Sequence, residues 1–182
     1  GETTVLGRTL ANVGASAVHD VLVVTGHERE KVEAVVGEPQ PAPKGNESLT
    51  MATPVIYNPD YANGMLASVQ AAVRALPPTT EAILVVLGDQ PMVEPQTIDR
   101  LLTAYAAAPA GFVAPTYGGR RGIPVLIARR HFDELLALPP DAAPRALLAR
   151  HADDVLSVAV DSDAVLHDLD RPEEYAHFRP AE

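Results

Sequence analysis

The strongest feature of the apolar pattern is an aliphatic run from Ile83 to Leu87, which is too short for a helix. A short run that is apolar on both faces is typical of a strand covered by helices on both sides. The run stops at Gly88–Asp89–Gln90–Pro91, where glycine allows a tight turn and proline prevents continuation as an interior strand. We therefore predict a central strand that presents Asp89 at its carboxyl end.

Short apolar strands and amphipathic helices alternate along the rest of the chain. The pattern predicts strands at 18–25, 54–57, 112–115, 124–128 and 155–160, and helices at 3–13, 28–36, 64–76, from Pro95 onward, and at 132–138, 145–150 and 172–178. We also predict a surface loop at 38–51, a hairpin turn at 118–122 and an extended piece at 165–169. This alternation favours one α/β domain spanning 1–182, with a mainly parallel central sheet and helices on both faces.

Composition narrows the classes of partner. The chain has 182 residues, a net charge of −10 and no cysteine, which excludes disulfides and thiolate chemistry. An acidic chain without a basic stripe argues against nucleic acid as a partner. No apolar run is long enough for a membrane span, and no signal peptide opens the sequence.

The candidate chemistry lies in the turns that follow the predicted strands, because open α/β sheets bind ligands along that edge. Asp168 and Asp170 are two residues apart, so both side chains point the same way in an extended segment. Either of them could share a hard cation such as Mg²⁺ with Asp89. The alternatives are that Asp89 is a turn residue and that Asp170 caps the helix that follows it.

Other turn residues have two interpretations each. Gly64 either opens a helix whose amino end faces an anion or a polar base edge, or is an ordinary turn glycine. Arg120 and Arg121 either clamp a phosphate or are solvated. The histidines show no metal-binding spacing, and we interpret them as surface residues. No Walker loop or GxGxxG motif is present.

Five segments together carry a resemblance to a known family. They are VVTGHE (23–28), NPDYANGM (58–65), LGDQPMV (87–93), GGRRGIPVLIARRHFDELLAL (118–138) and DLDRPEEY (168–175). In this order they resemble the MobA-like nucleotidyltransferases, and more narrowly the molybdenum cofactor cytidylyltransferase branch. The resemblance implies a three-layer α/β/α, Rossmann-like nucleotidyltransferase fold of the GT-A type.

The resemblance also implies a reaction and roles for particular residues. A phosphorylated acceptor, expected to be molybdopterin, attacks the α-phosphorus of a nucleoside triphosphate, expected to be CTP, and pyrophosphate leaves. The implied cofactor is Mg²⁺, an implied further partner is a molybdoenzyme maturation protein, and the implied location is cytoplasmic. The family pattern assigns catalysis and metal binding to Asp89 and Asp170, with Asp168 as an alternative ligand or outer partner. It assigns ligand binding to the following residues: Asn58, Gly64, Ser68 and Gly88 on the nucleotide side, and Gly122 and Pro124 in the acceptor pocket.

Three departures from the family pattern accompany the resemblance. The family's first strand and its glycine-rich loop, LAAGxSxRMGxxK, have no counterpart here, and we expect an open slot between the strands near Val21 and Ile83. Ile123 replaces a polar residue, and residues 65–68 replace a serine-richer run. Two alternatives follow: the same fold acting on a sugar phosphate or a phospholactate-like acid, and a catalytically silent nucleotide-binding module.

Overall fold

The computed structural model describes residues 4–37, 53–139, 142–143 and 145–169. The predicted loop at 38–51, Asp170 and the predicted helix at 172–178 lie outside the described residues. The helices are α1 (Val5–Gly14), α2 (Arg29–Val36), α3 (Met65–Ala75), α4 (Pro95–Ala107), α5 (Phe132–Ala137) and α6 (Arg145–Arg150). The strands are β1 (Val23–Thr25), β2 (Val55–Tyr57), β3 (Ala82–Val85), β4 (Phe112–Tyr117), β5 (Arg120–Arg121), β6 (Val125–Ala128) and β7 (Val155–Ala159).

Local sequence signals set the helix boundaries. The hydroxyl of Thr4 accepts a hydrogen bond from the Gly7 amide at 3.0 Å and caps α1. Pro95 is the first residue of α4, where its missing N–H costs no intrahelical hydrogen bond. The sequence therefore predicted α1 to within two residues at each end and the first residue of α4.

The described strands form two sheets. In the first, β1 pairs parallel with β2. In the second, β6 lies between β3 and β4 and is antiparallel to both, while β7 is parallel to β4. The second sheet is therefore mixed, with β3, β4 and β7 running in one direction. The predicted hairpin is present. After β4 the chain turns at Gly118 and Gly119 into β5, and β5 and β6 both pair antiparallel with β4.

Strand β3 is not central among the described strands. It pairs with β6 on one side only, and no backbone pairing within the described residues joins it to the β1–β2 sheet. Its residues are half-buried, whereas Phe112, Val113 and Ala114 of β4 are fully buried. The prediction that β3 is central was therefore wrong for the described strands. The apolar pattern of a strand indicates whether helices cover its two faces, but it does not indicate how many strands pair with its backbone.

Helices cover both faces of the mixed sheet, which confirms the α/β class. On one face, Ile83 and Val85 pack with residues of α3, α5 and α6. On the other, Leu84 packs with residues of α1 and α4. No helix in the described part of the chain is long and apolar enough to cross a membrane.

Two elements differ from their predicted form. Strand β1 covers only the last three residues of the predicted 18–25 strand. The predicted extended piece at 165–169 begins instead as a 3-10 turn over Asp163–Leu166. The Ser162 hydroxyl starts that turn by accepting a hydrogen bond from the Ala164 amide at 3.2 Å. Such a bond between a side chain and the nearby backbone competes with extended structure, and the spacing of apolar residues does not reveal it.

Candidate functional site

The turn that follows β3 is braced by helix α1. The Thr9 hydroxyl donates a hydrogen bond to the Gly88 carbonyl at 3.2 Å. The Asn12 amide donates to the carbonyls of Pro91 at 2.9 Å and Val93 at 3.1 Å. Three backbone oxygens of one turn are thus satisfied by two polar side chains on the inward face of α1. We did not predict this role, although two polar residues three positions apart on an apolar stripe are a signal of it in the sequence.

The same turn meets the segment that contains Asp168. The Leu169 amide donates a hydrogen bond to the Asp89 carbonyl at 2.9 Å. The Gln90 amide nitrogen donates to Asp168 Oδ1 at 3.2 Å. Asp89 is half-buried, with its Oδ1 shielded from water, while the Asp168 side chain is exposed. The structure therefore brings Asp89 and Asp168 to one junction, and Asp170 lies outside the described residues.

Gln90 is the buried element of this junction. Its side chain is 2% exposed, and its Oε1 has no hydrogen-bond partner among the described residues. A buried amide oxygen without a partner costs about 1–3 kcal/mol. The only hydrogen bond that its side chain makes within the described residues is the one to Asp168. Gln90 belongs to the turn that we predicted from the sequence, but we assigned it no role there.

A second group of predicted site residues lies at the start of α3. The Asn58 amide nitrogen donates to the Ser68 hydroxyl at 3.1 Å, and its Oδ1 accepts from the Asp60 amide at 3.0 Å. Gly64 precedes the helix at φ 101° and ψ −177°, a conformation essentially restricted to glycine. A Cβ on Gly64 would meet nothing within 4 Å, so the backbone, not space, requires glycine here.

The predicted acceptor-side residues pack against the turn that leads to Asp168. A Cβ on Gly122 would lie 2.2 Å from the Val165 carbonyl oxygen, so no larger residue fits without movement. The Ile123 amide donates to that same oxygen at 2.9 Å, and Pro124 follows a cis peptide bond. Gly122 and Pro124 are both buried. Their backbone thus supports the segment that carries Asp168. Arg120 and Arg121 are exposed.

The large apolar side chains that are exposed share a location. They end a strand or lie in the segment between a strand and the helix that follows it or at that helix's first residue, and they are Tyr57, Tyr61, Met65, Met92 and Tyr117, at 38–44% exposure. The remaining large apolar residues of the described chain are buried or half-buried. Apolar exposure is therefore concentrated at the carboxyl ends of strands.

A separate cluster of titratable groups contradicts our interpretation of His131 as a surface residue, whereas His19, His27 and His167 are exposed as we expected. His131 is 7% exposed and lies 3.0 Å from Asp154, while His151 lies 2.6 Å from Glu134. Hydrogen bonds from Arg130, His131 and the Gly111 amide hold the pKa of the Asp154 carboxyl well below its usual range. His151, and then Arg150, lower the pKa of Glu134, while burial opposes this. The spacing of the histidines along the sequence did not predict this cluster, because each histidine pairs with an acid from a different segment.

Known proteins show which family this chain resembles. Residues 1–155 match the family described as MobA-like NTP transferase domain. The chain is 31% identical over 121 residues to the molybdenum cofactor cytidylyltransferase of Escherichia coli strain K12, an alignment that spans 66% of this chain and 59% of that protein. The crystal structure of Rv0371c from Mycobacterium tuberculosis H37Rv superposes with a TM-score of 0.77 at 27% identity, covering 97% of this chain and 84% of that one.

The manganese complex of Rv0371c superposes with a TM-score of 0.74 at 26% identity, covering 97% of this chain and 87% of that one. The fold predicted from the resemblance is confirmed by these superpositions together with the helices on both faces of the sheet. The family match covers well over half of the chain. This protein belongs to the MobA-like NTP transferase family.

Proposed function

We propose that this chain is the nucleotidyltransferase domain of an enzyme that transfers a cytidylyl group from CTP to molybdopterin or the molybdenum cofactor. In the reaction, an oxygen of the acceptor phosphate forms a bond to the α-phosphorus. The bond from that phosphorus to the β-phosphate bridging oxygen breaks, and pyrophosphate leaves with the electron pair. Such chemistry asks the protein for positioning and charge stabilisation more than for covalent participation.

The observation that carries the proposal is the junction of Asp89, Gln90 and Asp168. The distant segments that carry Asp89 and Asp168 are joined at the end of β3 by a backbone hydrogen bond of 2.9 Å, from the Leu169 amide to the Asp89 carbonyl, and by the 3.2 Å hydrogen bond from Gln90 to the Asp168 carboxylate. The turn is fixed from the other side by Thr9 and Asn12. A braced pair of carboxylates at this edge fits the positioning role that a nucleotidyltransferase requires.

The junction fits a divalent metal ion. Its carboxylates are the donor type that Mg²⁺ and Mn²⁺ prefer, and the Oδ1 of Asp89 is shielded from water. Asp89 would hold the ion together with Asp168 or Asp170. When bound, Mg²⁺ supplies neutralisation of the charge on the triphosphate. Manganese in the related Rv0371c structure supports a divalent ion in this family.

The amino end of α3 is suited to the nucleotide. The first amides of an α-helix lack intrahelical partners and face anions favourably. Gly64 sets the direction from which the chain enters this helix, and the Asn58–Ser68 hydrogen bond fixes the loop to its first turn. We assign these three residues to nucleotide binding, with the Gly88 turn on the opposite side of the triphosphate.

The acceptor side is expected to lie near Gly122 and Pro124, which support the approach to Asp168 through Val165. Tyr117, which ends β4 shortly before Gly122, is exposed, and so is Met92, which lies in the turn that carries Asp89. Flat heterocycles such as a pterin or a base gain binding energy from such exposed aromatic and thioether side chains. This feature favours a molybdopterin-type acceptor over a sugar phosphate or a phospholactate-like acid, which have no flat ring.

The first experiment replaces the carboxylate that the proposal makes indispensable. Asp89→Asn in the full-length protein should reduce pyrophosphate release from CTP and molybdopterin by at least about 100-fold. The melting temperature should change little, since a half-buried edge carboxylate contributes little to the core. The matched control is Asp20→Asn, an exposed aspartate before β1, which should retain wild-type transfer. Wild-type rates in the Asp89 variant would remove this residue from the mechanism.

The second experiment ranks the substrates. The melting temperature is measured with CTP, GTP, ATP or UTP in the presence of Mg²⁺ or Mn²⁺, because binding to the native state raises it by mass action. We expect the largest increase with CTP. Stabilisation by a nucleotide without transfer to molybdopterin, a sugar phosphate or phospholactate would favour the silent binding module, acting with a molybdoenzyme maturation protein.

A further inference from the structure

The cluster of His131, Glu134, His151 and Asp154, which we call the histidine cluster, is built from two copies of one short pattern. Arg130–His131 is followed by Glu134, and Arg150–His151 is followed by Asp154, so each copy reads Arg-His-x-x-acid. The copies pair crosswise: His131 contacts Asp154 at 3.0 Å, and His151 contacts Glu134 at 2.6 Å. Two segments that are distant in sequence are thus joined by reciprocal contacts.

The two imidazole rings lie close together over the core. Their centroids are 4.4 Å apart, and the Phe112 ring stacks on His131 at 4.4 Å and lies 6.0 Å from His151. Phe112 is fully buried, so the floor of the cluster is apolar. His131 has only 8% of its side chain exposed, and those of His151 and Glu134 are 32% and 36% exposed. The cluster is therefore partly screened from water and opens on one side.

We propose that His131, Glu134 and His151 form a binding site for a divalent transition metal ion of the zinc class. One ligand atom from each of the three residues lies within 4.8 Å of the other two. Two imidazoles with one carboxylate are a donor set that Zn²⁺ binds, leaving a fourth position for water. Imidazole ligands also select against Mg²⁺, which requires oxygen donors.

Asp154 acts as the orienting partner of this site. It contacts His131 at 3.0 Å, accepts a hydrogen bond from the Gly111 amide at 2.8 Å and is paired with Arg130. Histidine ligands of metals commonly give their second ring nitrogen to a carboxylate, which fixes the tautomer and the ring orientation. The ion pair with Arg130 keeps the Asp154 carboxylate next to His131 and balances its negative charge.

The charges around Glu134 are compatible with a metal ion. Arg150 contacts Glu134 Oε1 at 3.4 Å, while His151 contacts Oε2 at 2.6 Å, so the two oxygens face different partners. Glu134 Oε2 is therefore turned toward His151, where it can act as a ligand, while Arg150 holds the other carboxylate oxygen.

The histidine cluster lies at the opposite edge of the sheet from Asp89. Phe112 and Val155 begin the parallel strands β4 and β7, and at this amino end Asp154 accepts from the Gly111 amide and His131 stacks on Phe112. A metal ion here would fasten α5 to the segment that follows α6, and would stabilise the fold without contacting the nucleotide. The proposal therefore stands independently of the transferase activity.

The test measures metal binding directly on the full chain. After treatment with EDTA, ZnCl₂ is titrated by calorimetry and the melting temperature is recorded with and without the ion. We expect one Zn²⁺ per chain, a raised melting temperature, and no competition from millimolar MgCl₂. Glu134→Gln and His151→Gln should each weaken the affinity by at least about tenfold, the loss seen when even an outer partner of a metal ligand is removed.

The matched control is His167→Gln, an exposed histidine paired with Asp163. It should bind Zn²⁺ as the wild type does. Using His151 and Glu134, which are only half-buried, avoids the loss of folding that a change at the buried His131 risks. An unchanged melting temperature with ZnCl₂ would overturn the proposal, as would wild-type affinity in both the Glu134 and His151 variants.

Discussion

Two buried glutamines show how side chains of one type take opposite roles in this molecule. Gln70 is 6% exposed and donates to the carbonyls of Leu135 and Leu138 at 3.0 Å each. Gln90 is 2% exposed, makes one hydrogen bond to Asp168, and leaves its Oε1 without a partner in the described chain. The first glutamine stabilises the fold. The second destabilises the fold through its unpaired oxygen, and we explain its presence by its role in positioning Asp168.

Gln90→Met tests this positioning role. Methionine has nearly the same shape, so the variant removes an unpaired buried oxygen together with the hydrogen bond to Asp168. We expect an unchanged or slightly raised melting temperature, since replacing an unsatisfied polar group by an apolar one of similar shape is neutral or stabilising. The concentration of Mg²⁺ needed for half-maximal transfer should rise about tenfold.

The control for this variant is Gln96→Met on the exposed face of α4, which should change neither quantity. A Gln90 variant with lower stability and an unaltered Mg²⁺ requirement would mean that the residue serves packing alone.

At the scale of elements, α3 and α5 are joined through the last carbonyls of α5. The final turn of a helix leaves carbonyl oxygens without intrahelical partners, and Gln70 of α3 supplies the donor. Gln70→Met should therefore destabilise the protein by about 1–3 kcal/mol, because buried acceptors are left unsatisfied. The melting temperature should fall by about 2–4 °C for each kcal/mol in a chain of this size.

Gln90→Met serves as the comparison, since it is the same substitution at an equally buried site. Equal melting temperatures for the two variants would show that Gln70 does not cap α5.

The elements also show what the sequence could and could not predict. Helix periodicity and caps located α1 and α4, because Thr4 and Pro95 act within one turn of chain. The position of Asp89 after β3 was predictable for the same local reason. The bracing of its turn by Asn12 and the pairing of His131 with Asp154 depend on contacts between distant segments, which periodicity does not report.

For the whole molecule, the division into two sheets has consequences for stability. Within the described residues, no backbone pairing connects the β1–β2 sheet to the mixed sheet. The smaller sheet has strands of three residues that are mostly half-buried or exposed. In contrast, the first four residues of β4 are buried between β6 and β7. Elements with few buried contacts open at lower free energy than core strands.

Amide hydrogen exchange followed by mass spectrometry can measure this difference. Peptides that contain Val23–Thr25 and Val55–Tyr57 should exchange at least about tenfold faster than those that contain Phe112–Tyr117 and Val125–Ala128, a difference of about 1.4 kcal/mol in the free energy of opening. A nucleotide bound near Asn58 and Gly64 should slow exchange in the smaller sheet more than in β4, because it adds contacts to the less stable unit. Equal protection of both sheets in the free protein would indicate that they open as one cooperative unit, with α1 and α3 transmitting the stability of the mixed sheet across the break.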